Sequence, residues 1–77
     1  MIREHDSVVL VRDLSDAGLK AGDVGTVVHV YEGASAYEVE FVTLGGDTVA
    51  VVTLEASGVR PVGRHEMQHA RALESSA

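Results

Sequence analysis

The segment His65-Glu66-Met67-Gln68-His69 has the residue types and the spacing of a zinc-enzyme motif. On a helix, histidines four residues apart face the same way and can share a zinc ion, while the intervening glutamate acts as general base on the metal-bound water. A catalytic site also needs a third protein ligand and a cleft, and Glu74 is the sole downstream candidate. We therefore expect no catalytic or metal site here. His65 and His69 are candidates only for incidental surface binding of zinc or nickel.

Other arrangements that carry chemistry are also missing from the sequence. No serine, threonine or lysine adjoins a histidine in a way that suggests an activated nucleophile, and no glycine-rich loop opens a helix for a phosphate. The aspartates at 13, 16 and 23 do not follow the spacing of a calcium-binding EF-hand loop, and the chain contains no cysteine. The sequence thus predicts a non-enzymatic protein without a cofactor.

The charge of the chain restricts the partners that it can bind. Twelve Asp and Glu residues against six Lys and Arg residues give a net charge of −6. Residues 1–62 carry ten acids and four bases, whereas residues 63–77 carry two of each, so the acidity belongs to the body of the chain. A protein that grips a phosphate backbone needs clustered Lys or Arg residues. We therefore expect neither nucleic acid nor an anionic membrane as a ligand.

The start of the chain gives no sign of export or membrane insertion. The only early apolar run, residues 8–11, is short and is bounded by charged residues. A secretory signal or a membrane-spanning helix requires a longer apolar segment. A cytoplasmic location is the expectation.

Valine dominates the composition, and its branched side chain favours β-strands. The alternation of apolar runs with Gly- and Asp-rich turns predicts five strands, at residues 8–11, 24–31, 36–42, 48–54 and 59–62. A long loop spans residues 13–23, and residues 55–58 suit a single 3₁₀ turn. This order is that of a small five-stranded antiparallel SH3-like barrel, an all-β domain over residues 1–62. Residues 63–77 read as a flexible or partly helical tail, because their apolar stripe is too thin for a stable isolated helix.

The third strand shows the clearest alternation. Tyr37, Val39 and Phe41 fall on one face, and Glu38 and Glu40 fall on the other. This pattern is typical of an antiparallel strand with one solvated side.

The fourth strand differs because both of its faces are apolar. A barrel of this size has one interior and cannot bury both faces of a strand, so the excess apolar surface indicates a partner. We predict a homodimer formed by strand pairing or by exchange of an element. The alternative is that the long loop and the tail cover this face within one chain. The interface candidates are Val49, Val51, Val52 and Leu54.

Four segments of the chain resemble a known family. The segments at residues 18–28, 36–41, 52–54 and 60–61 resemble a family of small bacterial proteins catalogued as a domain of unknown function, number four-nine-two-six. The resemblance covers residues 6 to 62 and implies an SH3-like β fold, with no known activity or site residue. The segment Gly22-Asp23-Val24-Gly25-Thr26-Val27 also resembles the KOW-type barrels of ribosomal and transcription proteins, which implies a nucleic-acid-associated barrel as an alternative function.

The remaining expectation is a protein-binding module. Proline-rich peptides and methylated lysines are bound by aromatic-lined grooves and cages, and the three aromatic residues Tyr31, Tyr37 and Phe41 are too few for either once the core is built. An acidic surface would suit a basic partner protein, as in a small neutralising or regulatory companion of a larger protein. The predicted surface carboxylates are Asp13, Asp16, Asp23, Glu38, Glu40 and Glu55.

Overall fold

The computed structural model describes residues 1–73 of the chain. Its strands are β1 (Ser7–Leu10), β2 (Val24–Val30), β3 (Ala36–Val42), β4 (Thr48–Glu55) and β5 (Val59–Pro61), and 3₁₀ turns lie at Ser15–Ala17, Glu32–Ala34 and Ala56–Gly58. The predicted all-β class and its five strands are confirmed, with each strand boundary within one residue of its predicted place. None of the helical segments in this described part is long and apolar enough to cross a membrane.

The five strands form one antiparallel sheet in the order β4-β3-β2-β1-β5. Within residues 1–73 no strand pairing joins β4 to β5, so the sheet is open and the closure of the predicted barrel is not established. Inward side chains from all five strands nevertheless share a single core, which requires the sheet to curl. The buried core cluster consists of Val8, Leu10, Leu19, Val27, Tyr37, Val39, Phe41, Leu54 and Val59.

The faces of β3 follow the predicted alternation. Tyr37, Val39 and Phe41 are buried, whereas Glu38 and Glu40 are half-buried on the opposite face. Because side chains alternate along a strand, this register assigns every neighbouring residue to the core or to the solvent side.

Gly25 allows β2 to lie close to β3 at the centre of the core. A Cβ atom on Gly25 would stand 2.6 Å from Val39 Cγ1 and 2.9 Å from Phe41 Cε1. The sequence predicted a bulge or a close approach at this glycine, and the structure shows the close approach. The register shift in β2 lies further along the strand, between Val27 and His29.

The described part of the tail, residues 63–73, has no regular secondary structure apart from a turn at 64–65, so the helical alternative is not seen in this stretch. The tail runs back over the solvent side of β1. Val9 lies between two core residues and faces away from the core, yet it is only 6% exposed. Val9 lines an open groove whose other walls include Val62 and Met67. Residues 74–77 of the predicted tail lie outside the described part.

Candidate interaction surface

Glu38 and Glu40 form the centre of the surface that β2, β3 and β4 turn away from the core, which we call the outer face. Their positions two residues apart on one strand place the carboxylates on the same side, about 7 Å apart along the chain. On β4, Thr53 lies opposite Glu38 and Val51 lies opposite Glu40. On β2, Thr26 lies opposite Glu40. On the same strand, His29 lies opposite Glu38. The two carboxylates therefore stand among threonine, valine and histidine side chains of the neighbouring strands.

Hydroxyl groups orient both carboxylates. Thr53 Oγ1 donates to Glu38 Oε1 at 2.5 Å, and Tyr31 donates its hydroxyl to Glu38 Oε2 at 3.4 Å. Thr48 Oγ1 donates to Glu40 Oε2 at 2.7 Å. These neutral donors hold the carboxylates in place without cancelling their charge.

The ion pairs formed within residues 1–73 involve acids other than Glu38 and Glu40. Arg60 pairs with Glu66, Arg71 with Asp23, and His29 Nδ1 lies 3.8 Å from Glu4. Within residues 1–73, no Lys or Arg side chain forms an ion pair with Glu38 or Glu40. Ion pairs with Lys or Arg therefore do not balance the charge of these two carboxylates in this part of the chain.

The six predicted surface carboxylates divide into two groups. Glu55 shares the outer face with Glu38 and Glu40, because it has the same parity as Thr53 on β4. The three aspartates lie apart from this face, in the loop between β1 and β2. There the carboxylate of Asp13 accepts a hydrogen bond from the Ala21 amide at 2.9 Å and therefore shapes the loop. The members of the loop group are Asp13, Asp16 and Asp23.

Asp23 holds the end of the tail. Arg71 donates from Nε to Asp23 Oδ1 at 2.9 Å and from Nη2 to Oδ2 at 2.5 Å, and the same Nη2 donates to the Gly18 carbonyl at 3.2 Å. This hydrogen-bonded guanidinium is the main reason that the pKa of Asp23 lies below its ordinary value. Since Asp23 already has a cationic partner within its own chain, it differs from the two outer-face glutamates.

Within residues 1–73, the zinc-like motif lacks the geometry of a metal site, and the candidate third ligand Glu74 lies outside these described residues. Glu66 accepts two hydrogen bonds from Arg60, at 2.7 and 2.6 Å, and one from the Gly63 amide at 2.5 Å. These contacts, chiefly those from Arg60, lower the pKa of Glu66 to about 2. His65 and His69 are exposed on a segment without helix, so the shared face that the motif requires is absent. In the part of the chain that is described, no three His, Cys, Asp or Glu side chains are grouped to hold a metal.

The four interface candidates on β4 occupy different environments. Leu54 is buried in the core, and Val52 and Val49 are partly buried against it. Val51 is 53% exposed on the outer face. The loop between β1 and β2 and the tail approach β4 only near Val49, where they line a shared pocket. The monomer thus covers one end of the strand and leaves Val51 open.

An open groove of about 830 Å³ lies between the tail and the sheet. Its walls include Val9 and Val24 from the sheet and Met67 from the tail. Met67 is itself 92% exposed, so the groove is a loosely filled gap beneath the tail.

Sequence reasoning missed the partners of the charged residues. Arg71 and Asp23 are 48 positions apart, and no local spacing rule links residues at that distance. The hydroxyls of Thr48 and Thr53 could have been found from the pairing of β3 with β4, because residues opposite each other share a face.

Comparison with known proteins gives one match, to a family. No curated protein and no solved structure matches the chain. The family pattern described as "Domain of unknown function (DUF4926)" matches residues 4–61, which include the outer face and all of β4 but not the tail. Since the match covers well over half of the chain, the protein belongs to the DUF4926 family.

Proposed function

We propose that this protein is a non-enzymatic, cytoplasmic protein-binding module that works as a homodimer and uses its outer face to bind a basic protein. The observation that supports this most strongly is the pair Glu38 and Glu40, oriented by neutral hydroxyls and left without a cationic partner in residues 1–73. A small companion that neutralises or regulates a larger protein is a role of this kind.

The chemistry of the outer face suits arginine and lysine side chains. A carboxylate accepts charge-assisted hydrogen bonds from both nitrogens of a guanidinium, as Glu66 does from Arg60 within this chain. Orientation by Thr53 and Thr48 reduces the entropy lost when a partner binds. The net charge of −6 adds longer-range attraction for a basic surface and speeds encounter at low salt.

Of the aromatic residues, Tyr37 and Phe41 lie in the core, and Tyr31 is 37% exposed. A groove for proline-rich peptides uses several exposed aromatic side chains in a row. Charge complementarity is therefore the recognition mode that we propose.

The alternative is a nucleic-acid-associated barrel of the KOW kind. Phosphate groups would meet the uncompensated carboxylates of the outer face, which repel them. Direct binding of RNA and DNA is a necessary comparison in the experiment below.

The test is capture from the native cell extract with tagged protein in three forms. These are the wild type, the double variant Glu38→Gln/Glu40→Gln, and the control Glu32→Gln/Asp47→Asn. The control removes the same number of charges from two exposed turn positions. We expect a basic protein, identified by mass spectrometry, that the wild type and the control retain and the outer-face variant loses.

Two results would oppose the proposal. Retention of the same proteins by all three forms would show that Glu38 and Glu40 are not the contact. Salt-dependent binding of wild type to RNA or DNA oligonucleotides, at physiological ionic strength, would favour the KOW-like alternative.

A further inference from the structure

From Ala50 to Leu54, the edge strand β4 lacks the features that usually protect an edge from pairing, since its register shift lies at the start of the strand, between Thr48 and Ala50. It is eight residues long, contains no Lys and no Pro, and carries no charged residue before Glu55 at its end. The other edge strand, β5, has three residues, including Arg60 and Pro61. Natural proteins shield exposed edges with charge, proline or short length, because unpaired backbone groups recruit another strand.

The backbone groups on the free side of β4 are available for such pairing. Every second residue of an edge strand directs its N–H and C=O groups away from the sheet. Within residues 1–73, the backbone hydrogen bonds of Val49–Leu54 run to β3, and no loop or tail residue pairs with the other side. The loop and Leu73 come near this edge at Val49, where they line a shared pocket.

We propose that two copies of this chain pair antiparallel through β4, with the two-fold axis at Val52, and so form a continuous ten-stranded sheet. This rests on the homodimer in the proposed function and assigns its contact. A second copy is the fitting occupant because the central segment, Ala50–Leu54, is uncharged and can face itself without repulsion.

The register follows from strand parity and from charge. A two-fold axis perpendicular to the sheet keeps the outer faces of both copies on the same side. Because side chains alternate along a strand, two residues that lie opposite each other must then both have odd numbers or both have even numbers. Axes at Val51 and at Val52 give the longest overlap. An axis at Val51 would carry the pairing past the register shift between Ala50 and Thr48, where β4 is no longer regular. An axis at Val52 confines the pairing to the regular, uncharged run Ala50–Leu54 and sets Val51 opposite Thr53.

This dimer joins the two outer faces into one surface. Glu38 and Glu40 of both copies then lie on the same side of the ten-stranded sheet. A basic partner would meet four central carboxylates in place of two.

The first experiment compares association of the wild type with two lysine variants by sedimentation across a dilution series. Val51→Lys adds a charge beside the free edge, and Val42→Lys is its control, since Val42 is 49% exposed but lies on the interior strand β3. We expect the wild type and V42K to have twice the 8.1 kDa chain mass, and V51K to be shifted to a single chain. A wild type that stays at 8.1 kDa at high micromolar concentration, or a V51K that associates like V42K, would overturn the proposal.

The second experiment tests the register, and the absence of native cysteine makes it direct. Chains with Val51→Cys are mixed with chains with Thr53→Cys and oxidised. We expect the mixed disulfide in preference to either symmetric one, whereas dominance of the Val51→Cys symmetric product would overturn the axis at Val52. Circular dichroism of each variant separates a failure to fold from a failure to pair. Neither readout depends on a basic partner, so a failed dimer and a failed outer-face contact are distinguishable.

Discussion

At the scale of single residues, Gly25 sets the spacing between β2 and β3. Only hydrogen fits at this position, because a Cβ would also lie 3.0 Å from the Glu40 carbonyl oxygen. The backbone that would have to move belongs to the strand that carries both outer-face glutamates. A residue of the core thus affects the geometry of the outer face.

Replacing Gly25 with alanine is predicted to destabilise the fold by about 1–3 kcal/mol, the usual effect of overpacking a core. The control is Gly45→Ala, whose new Cβ would lie at an ordinary 3.8 Å from Thr43 Oγ1. Urea unfolding at one fixed protein concentration measures the difference, since association makes stability depend on concentration. Equal midpoints for the two variants would contradict the close approach.

Where the strand pattern is regular, the sequence predicts which residues face the core and which face the solvent. The alternation from Tyr37 to Phe41 assigned buried and solvated positions correctly, because one parity is apolar and the other acidic. The role of Asp23 was not predictable in the same way. It was expected on a free acidic surface, but it binds Arg71, which the sequence places 48 positions away.

At the scale of elements, the tail behaves as a strap fastened at two points. Arg60 and Glu66 fix its start beside β5, and Arg71 with Asp23 fixes its end beside the loop before β2. Between them it forms one wall of the groove that Val9 also lines. The sequence correctly indicated too little apolar surface for a helix, but it could not indicate where the tail would lie.

Replacing Arg71 with glutamine is predicted to release the end of the strap and to lower the free energy of unfolding only slightly, because ion pairs near the surface are weakened by solvent. Arg64→Gln is the control, because Arg64 has no ion pair in the described part of the chain. Amide ¹⁵N relaxation should show faster motion at residues 67–72 in the first variant alone. Unchanged relaxation there would show that the Arg71 contact does not hold the tail.

Acid is predicted to loosen the same strap. The pKa of Glu66 is lowered from 4.5 to about 2 by the Arg60 hydrogen bonds, and that of Asp23 is lowered by Arg71. Since both pKa values are lower in the folded state, the unfolded state binds more protons, and stability is full above pH 4.5 and declines as the pH falls toward 2. Titration of the Glu66 carboxyl ¹³C shift checks this, and Arg60→Gln should return the midpoint toward 4.5. A midpoint near 4.5 in the wild type would contradict the ion pair.

At the scale of the whole molecule, the number and order of the strands could be predicted because Gly- and Asp-rich turns separate the valine runs. Closure of the sheet could not, since it depends on whether β4 and β5 meet, and neither strand carries a local signal for that pairing. The excess of apolar residues on β4 was visible in the sequence. Only the structure separates Leu54, which serves the core, from Val51, which faces outward.

We propose above all that the outer face is the surface that binds a basic partner protein. The most direct measurement is amide chemical-shift mapping of ¹⁵N-labelled protein titrated with the basic protein captured from the extract. We predict that the perturbed amides cluster on β3 and β4 around Glu38 and Glu40, and that the Glu38→Gln/Glu40→Gln variant shows no saturable shifts while the Glu32→Gln/Asp47→Asn control behaves as the wild type. Perturbations confined to the tail or to the loop between β1 and β2, or equal binding by both variants, would contradict the account.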